Sequence, residues 1–439
     1  MSVLTRRLLK NSVLKGPFAS GLAVILGLLP PIASASVAHA SVVPSSVAQA
    51  SVVPSSVAQA SVVRDIQYWL ADYGIERAWS ITRGAGVRIA FIDTGVDGSH
   101  PDLAGAVVAG ADFSGLGSSD GQTPVGSVAG HGTMVASLGA GRGHGDNRGV
   151  IGSAPEASIV SASVSFDGSR VSPDDQIARA VRFAVDNGAR VISLSLTRNT
   201  SEWPESWDEA FRYAADKDVV VIASAGNRGS GTMAVGAPAT MPGVLAVGGV
   251  TREGVASDAA SSQGITIALM APSEGLVGAV PGGGYSSWSG TSGATPIVAG
   301  IAALVRSAFP GMDANNVINR LVATATPVTD KVPDPLYGYG LVNAYDAVTR
   351  EIPLVSANPL GSLEDWIALH REQRGNPMVF PLGPAQEGRE TVGFAPPPVA
   401  VDGARREVLP FVVTGAFALA LEVVVAIGAL RVFRARQRG

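Results

Sequence analysis

Residues 172–196 read SPDDQIARAVRFAVDNGARVISLSL, a helix pattern followed directly by a strand pattern. Apolar residues recur at helical spacing up to Val185, and Gly188 is a typical residue at a helix end. The run VISLSL is apolar and rich in strand-favouring residues, as in a strand buried within a parallel sheet. This stretch therefore predicts a helix that leads into a buried strand, the repeating unit of an α/β fold.

The same alternation continues on both sides of this stretch. A second helical period covers residues 206–218 and ends at Asp218. Further strand-like runs, rich in β-branched and other apolar residues, lie at 87–95, 157–165, 219–227 and 244–250. The order predicts a three-layer α/β domain with a mostly parallel central sheet and helices on both faces. In such sheets the functional site forms at the carboxyl ends of the strands.

Composition excludes several classes of function. The chain has 439 residues, a formal net charge of −4 and no cysteine. Because phosphate binding needs clustered Lys and Arg, no nucleic-acid partner is expected. Without cysteine the chain has no disulfide framework, no thiolate metal site and no cysteine nucleophile.

The amino-terminal residues 1–40 have the order of a secretory signal peptide. Basic residues precede an apolar run, and the small residues Ala38 and Ala40 form a cleavage motif. An uncleaved anchor helix is the alternative, and both interpretations predict export. The decapeptide SVVPSSVAQA then occurs twice, and a third copy begins at Ser61. Its composition predicts an unstructured spacer over 41–63.

The carboxyl-terminal part of the chain has the pattern of a membrane anchor. Scattered prolines without an apolar period predict a stalk over 351–407. Residues 408–430 are apolar and would span about 34 Å as a helix, enough for a hydrocarbon core of about 30 Å. The arginine-rich residues 431–439 would stay in the cytoplasm, which places the domain at 64–350 outside it. Glu422 within the span fits either a partner in the membrane or a slightly strained single anchor.

Ser292 lies in GTSGATP, residues 290–296, just before an apolar helical run. A serine there is typical of an amino-terminal helix cap, with Pro296 tolerated in the first turn. The same place suits a nucleophile, because helix amides and the helix dipole stabilise a developing oxyanion. A nucleophilic serine needs a base, and the base needs an orienting group. The choice therefore depends on whether the chain supplies both.

Asp93 and His131 are the candidates for these two groups. Asp93 follows a strand in IDTG, and His131 begins a helical pattern in HGTMVAS. Each also has an ordinary interpretation, since Asp after a strand often forms a turn and His beside glycines is often a loop residue. Together with Ser292 they complete a set of nucleophile, base and orienting carboxylate, which favours catalysis.

IDTG, HGTMVAS and GTSGATP resemble the three signature segments of the subtilisin-like serine proteases, in that family's order Asp, His, Ser. The resemblance covers about residues 65–350 and implies that Asp93 orients His131, which takes the proton of Ser292. The segment ASAGN resembles the family's oxyanion motif and implies that the side-chain amide of Asn227 stabilises the oxyanion. The implied activity is a serine endopeptidase that acts on peptides or proteins and needs no cofactor for its chemistry.

The resemblance also implies residues that bind the substrate. They are two segments along the substrate backbone together with pocket residues: Gly168, Ser169, Arg170, Ser195, Leu196, Thr197, Ala225, Gly226 and Gly236. Thr197 stands where glycine is usual in the family. This departure implies a narrower primary specificity pocket.

The order of segments is similar to that of the mycosin group of subtilases, which is associated with type VII secretion. The chain lacks the cysteines usual in that group, and its repeats are too short to form a folded pro-domain. The implied function is a cell-membrane-anchored endopeptidase, with its catalytic domain extracytoplasmic, that processes exported proteins. The alternative is a scaffold component of a type VII-like export complex in which proteolysis is secondary.

Two further expectations concern folding and metal. Residues at helical spacing in 65–80, namely Ile66, Trp69, Leu70 and Tyr73, predict a docking helix and a domain that folds when the chain begins near Asp65. A structural calcium ion is the metal to consider, because Asp102 matches a family ligand and residues 145–149 lie near the usual loop. Arg148 in that loop would repel a cation, and a simple turn explains the loop equally well.

Overall fold

The computed structural model describes the backbone of residues 42–44, 51–53, 57–145 and 148–371, with side chains from Val62 onward within these ranges. The strands, numbered along the chain, are β1 Val42–Pro44, β2 Ser51–Val53, β3 Arg88–Asp93, β4 Val107–Asp112, β5 Arg142–His144, β6 Arg148–Ile151, β7 Ser158–Ser163, β8 Val191–Leu194, β9 Leu196–Arg198, β10 Val220–Ser224, β11 Leu245–Val250, β12 Ile267–Pro272, β13 Leu276–Val280 and β14 Gly284–Trp288.

The helices are α1 Val57–Ile66, α2 Trp69–Asp72, α3 Ile75–Ala78, α4 His131–Ala140, α5 Pro173–Asp186, α6 Glu205–Asp216, α7 Thr291–Ala308, α8 Ala314–Ala323, α9 Ala344–Thr349 and α10 Leu363–His370, with a 3₁₀ turn at Arg228–Ser230. Both predicted helix stops occur where the backbone turns left-handed, with φ +72° at Gly188 and +60° at Asp218.

The central sheet has the strand order β12-β11-β10-β8-β3-β7-β4, and every neighbouring pair in it is parallel. The predicted strand runs coincide with β3, β7, β8, β10 and β11, so the parallel sheet expected from the alternation is confirmed. Strands β10, β8 and β3 are adjacent, and parallel strands end at the same edge of a sheet. Residues that follow these three strands are therefore brought close together.

Two helix layers cover this sheet. Helices α4 and α7 pack against each other, and α7 also lies on β8, β10, β11 and β12. Helices α5 and α6 form a second packed pair against β3, β7 and β10. Nearly all of α7 is buried, which agrees with its apolar sequence on all sides. The predicted three-layer arrangement is the observed one.

The repeat region differs from the unstructured spacer that its composition predicts. Strand β1, from the first repeat copy, pairs antiparallel with β9, and β2, from the second, pairs antiparallel with β14. Helix α1 then begins at Val57, still inside the second copy. The expectation was wrong for these residues. Each strand has only three residues and no apolar core of its own, and it is defined by pairing with a distant sheet edge, which composition does not reveal.

The segment 65–80 docks on the domain, but as short pieces and not as one helix. It holds the end of α1 followed by α2 and α3, with Gly74 left-handed between the last two. Trp69 and Leu70 are fully buried, and Tyr73 is also buried. Ile66, which was expected to dock with these residues, is 39% exposed.

The carboxyl-terminal boundary of the compact part also differs from the expected position near residue 350. Helix α10 begins after Ser362, whose hydroxyl accepts from the amide of Asp365. Its Trp366 packs on Trp203 with ring centroids 4.3 Å apart, and Arg371 Nε donates to Asp208 at 2.8 Å. The predicted stalk therefore has its first part folded against α6.

The expected signal peptide, the remainder of the stalk, the apolar span at 408–430 and the basic tail lie outside the described residues. Within the ranges that are described, no helix combines the length and the hydropathy needed to cross a membrane.

Candidate active site

Asp93 is the last residue of β3, at the carboxyl edge of the central sheet. Its side chain is almost fully buried, and Oδ1 accepts a hydrogen bond from the Thr94 amide at 2.7 Å. The same oxygen lies 2.8 Å from Nδ1 of His131. A carboxylate at Nδ1 holds the imidazole in the tautomer that has its other nitrogen available as a base.

His131 is the first residue of α4, and two contacts fix its position. The Thr94 hydroxyl accepts from the Gly132 amide at 2.9 Å and donates to the Ala129 carbonyl at 3.2 Å, so it binds the start of the helix to the end of β3. The ring of Trp288 meets the imidazole edge-on, with centroids 5.7 Å apart. These contacts and burial restrict the imidazole to one orientation.

Ser292 is the second residue of α7, and its hydroxyl does not act as the helix cap. The cap position is Gly290, whose φ of +150° favours glycine and which has no side chain of its own to cap the helix. The Ser292 hydroxyl instead donates to the Ser195 carbonyl at 3.3 Å, while the Ser195 hydroxyl donates to the Ser292 carbonyl at 2.9 Å. Of the two interpretations from sequence, the structure does not support the cap.

Helices α4 and α7 approach closely, which places both of their amino termini at one edge. A Cβ atom on Gly300 of α7 would lie only 2.7 Å from the Gly139 carbonyl oxygen of α4. Since real Cβ atoms do not come so close, glycine at this crossing allows the backbones to approach. The helix that begins with His131 and the helix that begins with Thr291 are thus held side by side.

Asn227 follows β10, and its carboxamide is oriented by the residue before Ser292. Its Oδ1 accepts from the Thr291 amide at 2.8 Å and lies 3.0 Å from the Thr291 hydroxyl. Because both contacts engage the oxygen, the amide nitrogen is directed to the opposite side of the group. Sequence reasoning did not assign a role to Thr291, although its place next to Ser292 was a signal for one.

The residues implied to bind substrate divide into two groups. Ser195, Leu196 and Thr197 run from the end of β8 into β9, and all three are buried. They meet the pocket residues: the Ser224 hydroxyl, next to Ala225, donates to the Leu196 carbonyl at 3.1 Å, and the side chain of Thr197 lies against Gly226 and Gly236.

The second group, Gly168 to Arg170, is on a loop after β7. The Ser169 hydroxyl donates to the Ser114 carbonyl at 2.7 Å, and Arg170 is exposed. A Cβ on Gly168, where φ is +71°, would touch Leu116. The contacts of Gly168 and Ser169 outside this loop, among the described residues, therefore run to residues 114–116.

Asp102 matches a calcium ligand of the family, and protein groups already contact its carboxylate. Asp102 is fully buried, with its oxygens 2.8 Å from the Val150 amide nitrogen and 2.5 Å from Nδ1 of His144. The Arg64 guanidinium donates to the Gly149 carbonyl at 3.2 Å and to the Arg148 carbonyl at 3.4 Å. Burial lowers the pKa of Arg64, and Asp102 opposes that effect; a guanidinium nevertheless stays protonated.

Calcium requires six to eight oxygen ligands, including carboxylates and carbonyls. Here a guanidinium engages the Arg148 and Gly149 carbonyls, and amide and imidazole groups engage the Asp102 carboxylate, so these described groups do not fit the ion. Asp146 and Asn147 of the same loop lie outside the described residues. In the part of the chain that the structure describes, no group of three or more His, Asp or Glu residues is arranged to hold a metal.

The chain is similar in sequence and fold to known proteins. The subtilase family model matches residues 84–340. Thermitase from Thermoactinomyces vulgaris is 36% identical over 272 residues, covering 62% of this chain and 92% of thermitase.

Two solved proteases are also similar. The MycP3 protease from the type VII (ESX-3) secretion system matches with 32% identity and a TM-score of 0.55, over 64% of this chain and 88% of MycP3. MycP1 with its N-terminal propeptide removed matches with 30% identity and a TM-score of 0.56, over 66% of this chain and 98% of that protein. The chain therefore belongs to the subtilase family and is a mycosin-like serine endopeptidase.

Proposed function

We propose that Asp93, His131 and Ser292 form the catalytic triad of an endopeptidase that is anchored in the cell membrane and acts outside the cytoplasm. The observation that carries the triad is the 2.8 Å contact between Asp93 and the Nδ1 atom of His131. It occurs where two closely packed helices begin with His131 and Thr291, the latter next to the candidate nucleophile. No other serine in GTSGATP competes for the role.

The proposed reaction begins when the Ser292 hydroxyl attacks a peptide carbonyl and passes its proton to Nε2 of His131. Asp93 stabilises the imidazolium, which then protonates the leaving amine as the C–N bond breaks. The acyl group remains on the Ser292 oxygen. A water molecule, deprotonated by the same imidazole, hydrolyses that ester and restores the serine.

Asn227 and the backbone amide of Ser292 are the proposed donors to the oxyanion. Contacts of the Asn227 oxygen with Thr291 fix its carboxamide before substrate arrives, so the donor needs no reorganisation during the reaction. The amino terminus of α7 adds a favourable dipole. Loss of one such donor in a subtilisin lowers kcat by about 10²- to 10³-fold.

The proposed location is supported by residues outside the described ranges. The signal-like residues 1–40 favour export, and the apolar run 408–430 followed by an arginine-rich tail favours a single span with the domain outside. Because MycP3 and MycP1 come from type VII secretion systems, processing of exported proteins at the cell surface is the proposed role.

Hydrolysis of a quenched peptide library by the membrane-bound protein tests the activity. Wild type should cleave, Ser292→Ala should lose at least about 10³-fold in rate, and Ser287→Ala, an exposed serine on β14, should match wild type. Hydrolysis by Ser292→Ala at the wild-type rate would overturn the proposed triad.

A stop codon at position 408 tests the anchor. The shortened protein should appear in the medium with full activity, whereas the complete chain should stay with membranes in high salt. Retention of the shortened protein on membranes in high salt would show that residues 408–430 are not the anchor.

A further inference from the structure

Thr197, Gly226 and Gly236 enclose the space next to the proposed nucleophile. A Cβ atom on Gly236 would lie 2.6 Å from Thr197 Oγ1, and one on Gly226 would lie 3.2 Å from Thr197 Cγ2. Both distances are shorter than ordinary contacts, so the threonine side chain, together with the Arg198 carbonyl oxygen that lies nearest to Gly236, occupies the room that the two glycines leave. Thr197 is fully buried there.

Two more side chains close the wall around Gly226. A Cβ on this glycine would meet Thr232 Cγ2 at 2.7 Å and the Ser262 hydroxyl at 2.8 Å. Ser262 is in turn fixed, because its amide donates to the Gly226 carbonyl at 2.6 Å. Little volume therefore remains between the strand β9 and the segment that follows β10.

This space adjoins the position of the attacked carbonyl. Gly226 precedes Asn227, the proposed oxyanion donor, and Ser195 exchanges hydrogen bonds with Ser292. The peptide residue that acylates Ser292 must direct its carbonyl oxygen to Asn227. Its side chain then lies beside Ser195–Thr197 and Gly226.

Strand β1 shows how an extended peptide can lie on this edge. It runs antiparallel to β9, with Val43 opposite Thr197 and Pro44 opposite Leu196. A peptide bound with the same direction advances from Thr197 toward Ser195, and therefore toward Ser292. Main-chain pairing of this kind supplies affinity, while the adjoining pocket selects side chains.

We propose that Thr197 restricts the residue whose carbonyl Ser292 attacks to the small side chains of Gly, Ala and Ser. This inference rests on the proposed function, because it assigns the substrate class of the same site. A large side chain would have to displace Thr197, whose β-branched χ1 is stiff and whose hydroxyl donates to the Arg198 carbonyl at 3.2 Å. Packed groups of this kind resist such displacement.

The test compares two chromogenic peptides that differ only in having Ala or Phe at the attacked residue. The complete chain is assayed as wild type, Thr197→Gly and Thr197→Ser, with Thr200→Gly as a control for the same substitution just beyond β9. Active sites are counted with a fluorophosphonate. Because one enzyme is compared with two peptides, any cost of displacing β1 cancels in the ratio of kcat/KM values.

Wild type should favour the Ala peptide by at least about 100-fold, within the range that pocket shape and contacts produce. Thr197→Gly should reduce this ratio at least tenfold by raising kcat/KM for the Phe peptide, Thr197→Ser should reduce it less, and Thr200→Gly should leave it unchanged. If Thr197→Gly fails to fold, a reduced ratio in Thr197→Ser alone supports the inference, and an unchanged ratio there overturns it.

The possible failures are distinguishable. If Ser292 is labelled and wild type cleaves both peptides equally, the role of Thr197 is overturned and the proposed protease function stands. The same conclusion follows if the ratio of kcat/KM values is unchanged in Thr197→Gly. Absence of labelling and of cleavage of either peptide overturns the proposed function, and this inference with it.

Discussion

The Asn227 side-chain oxygen accepts a hydrogen bond from the Thr291 amide at 2.8 Å and lies 3.0 Å from the Thr291 hydroxyl. The residue beside the proposed nucleophile thus aims the proposed oxyanion donor. A single segment, the first turn of α7, controls the relative position of both groups. Thr291 is therefore a positioning residue in this account.

Replacement of Thr291 by valine should keep its shape and remove the hydroxyl contact. We expect kcat to fall about tenfold while KM changes little. This loss is smaller than the roughly 10²- to 10³-fold loss in kcat that follows removal of an oxyanion donor, because Asn227 itself remains. Thr291→Ser should restore kcat. Thr324→Val is the matched control, because Thr324 is a buried threonine just after α8 whose hydroxyl donates to the Arg320 carbonyl; it should affect stability but not kcat. Full activity in Thr291→Val would contradict the positioning role.

Asp93→Asn keeps the imidazole of His131 but removes the carboxylate that orients it, so it tests the contribution of that orientation to kcat. An amide at this position favours the wrong tautomer of His131, and kcat should fall by about 10⁴-fold, as in other serine proteases with this change. Steady-state kinetics and circular dichroism check the result. Asp112→Asn, a carboxylate that caps the loop at Ser114 and Gly117, should remain active. Comparable activity in the two variants would remove Asp93 from the proposed triad.

The loop around Asp102 should be insensitive to calcium, because Arg64 engages the carbonyl oxygens of Arg148 and Gly149. Thermal unfolding with millimolar calcium and with a chelator should give the same midpoint, since only a ligand bound to the folded state raises it. A calcium-dependent rise of several degrees would show that the ion binds.

Arg64→Gln should weaken the same loop. Removing the donors of two carbonyls should lower the free energy of unfolding by about 1–3 kcal/mol. Arg83→Gln, which removes an exposed ion pair with Glu156, should change it by at most about 1 kcal/mol. Equal effects of the two substitutions in urea unfolding would argue against the structural role of Arg64.

The amino-terminal boundary of a stable domain should lie near Val57, not near Asp65 as the sequence suggested. Val63 is buried in the core, and Arg64 donates to the Arg148 and Gly149 carbonyls. A chain that begins at Asp65 loses Val63 and Arg64, and should be less stable than one that begins at Val57 by at least about 2 kcal/mol. Urea unfolding of the two secreted proteins measures this difference, and equal stability would contradict it.

Long, regular elements of the fold were predictable from sequence because the spacing of their apolar residues matches the residues that are buried. The strand that ends at Asp93 is buried along five of its six residues, and the pattern of 172–196 matches α5 and β8. Asp93 and His131 could also be placed from the sequence at the ends of such elements, and the structure has them at the end of β3 and the start of α4.

Other features depend on contacts between distant parts of the chain. Strand β1 has three residues and exists through pairing with β9, more than 150 positions away. Helix α10 docks through Trp366 on Trp203, and the role of Thr291 depends on the side-chain amide group of Asn227, which follows β10. No periodicity records such pairings, so a sequence pattern alone did not reveal them.

Site-specific labelling tests the central claim, that Ser292 is an activated nucleophile in this subtilase. Membranes that contain the complete chain are treated with a fluorophosphonate, and the modified residue is identified by peptide mass spectrometry. We expect one adduct on Ser292 in wild type, strongly slowed labelling in His131→Ala, and none in Ser292→Ala. Labelling of Ser292→Ala at the wild-type rate, or an unlabelled Ser292 in folded wild-type protein, would contradict it.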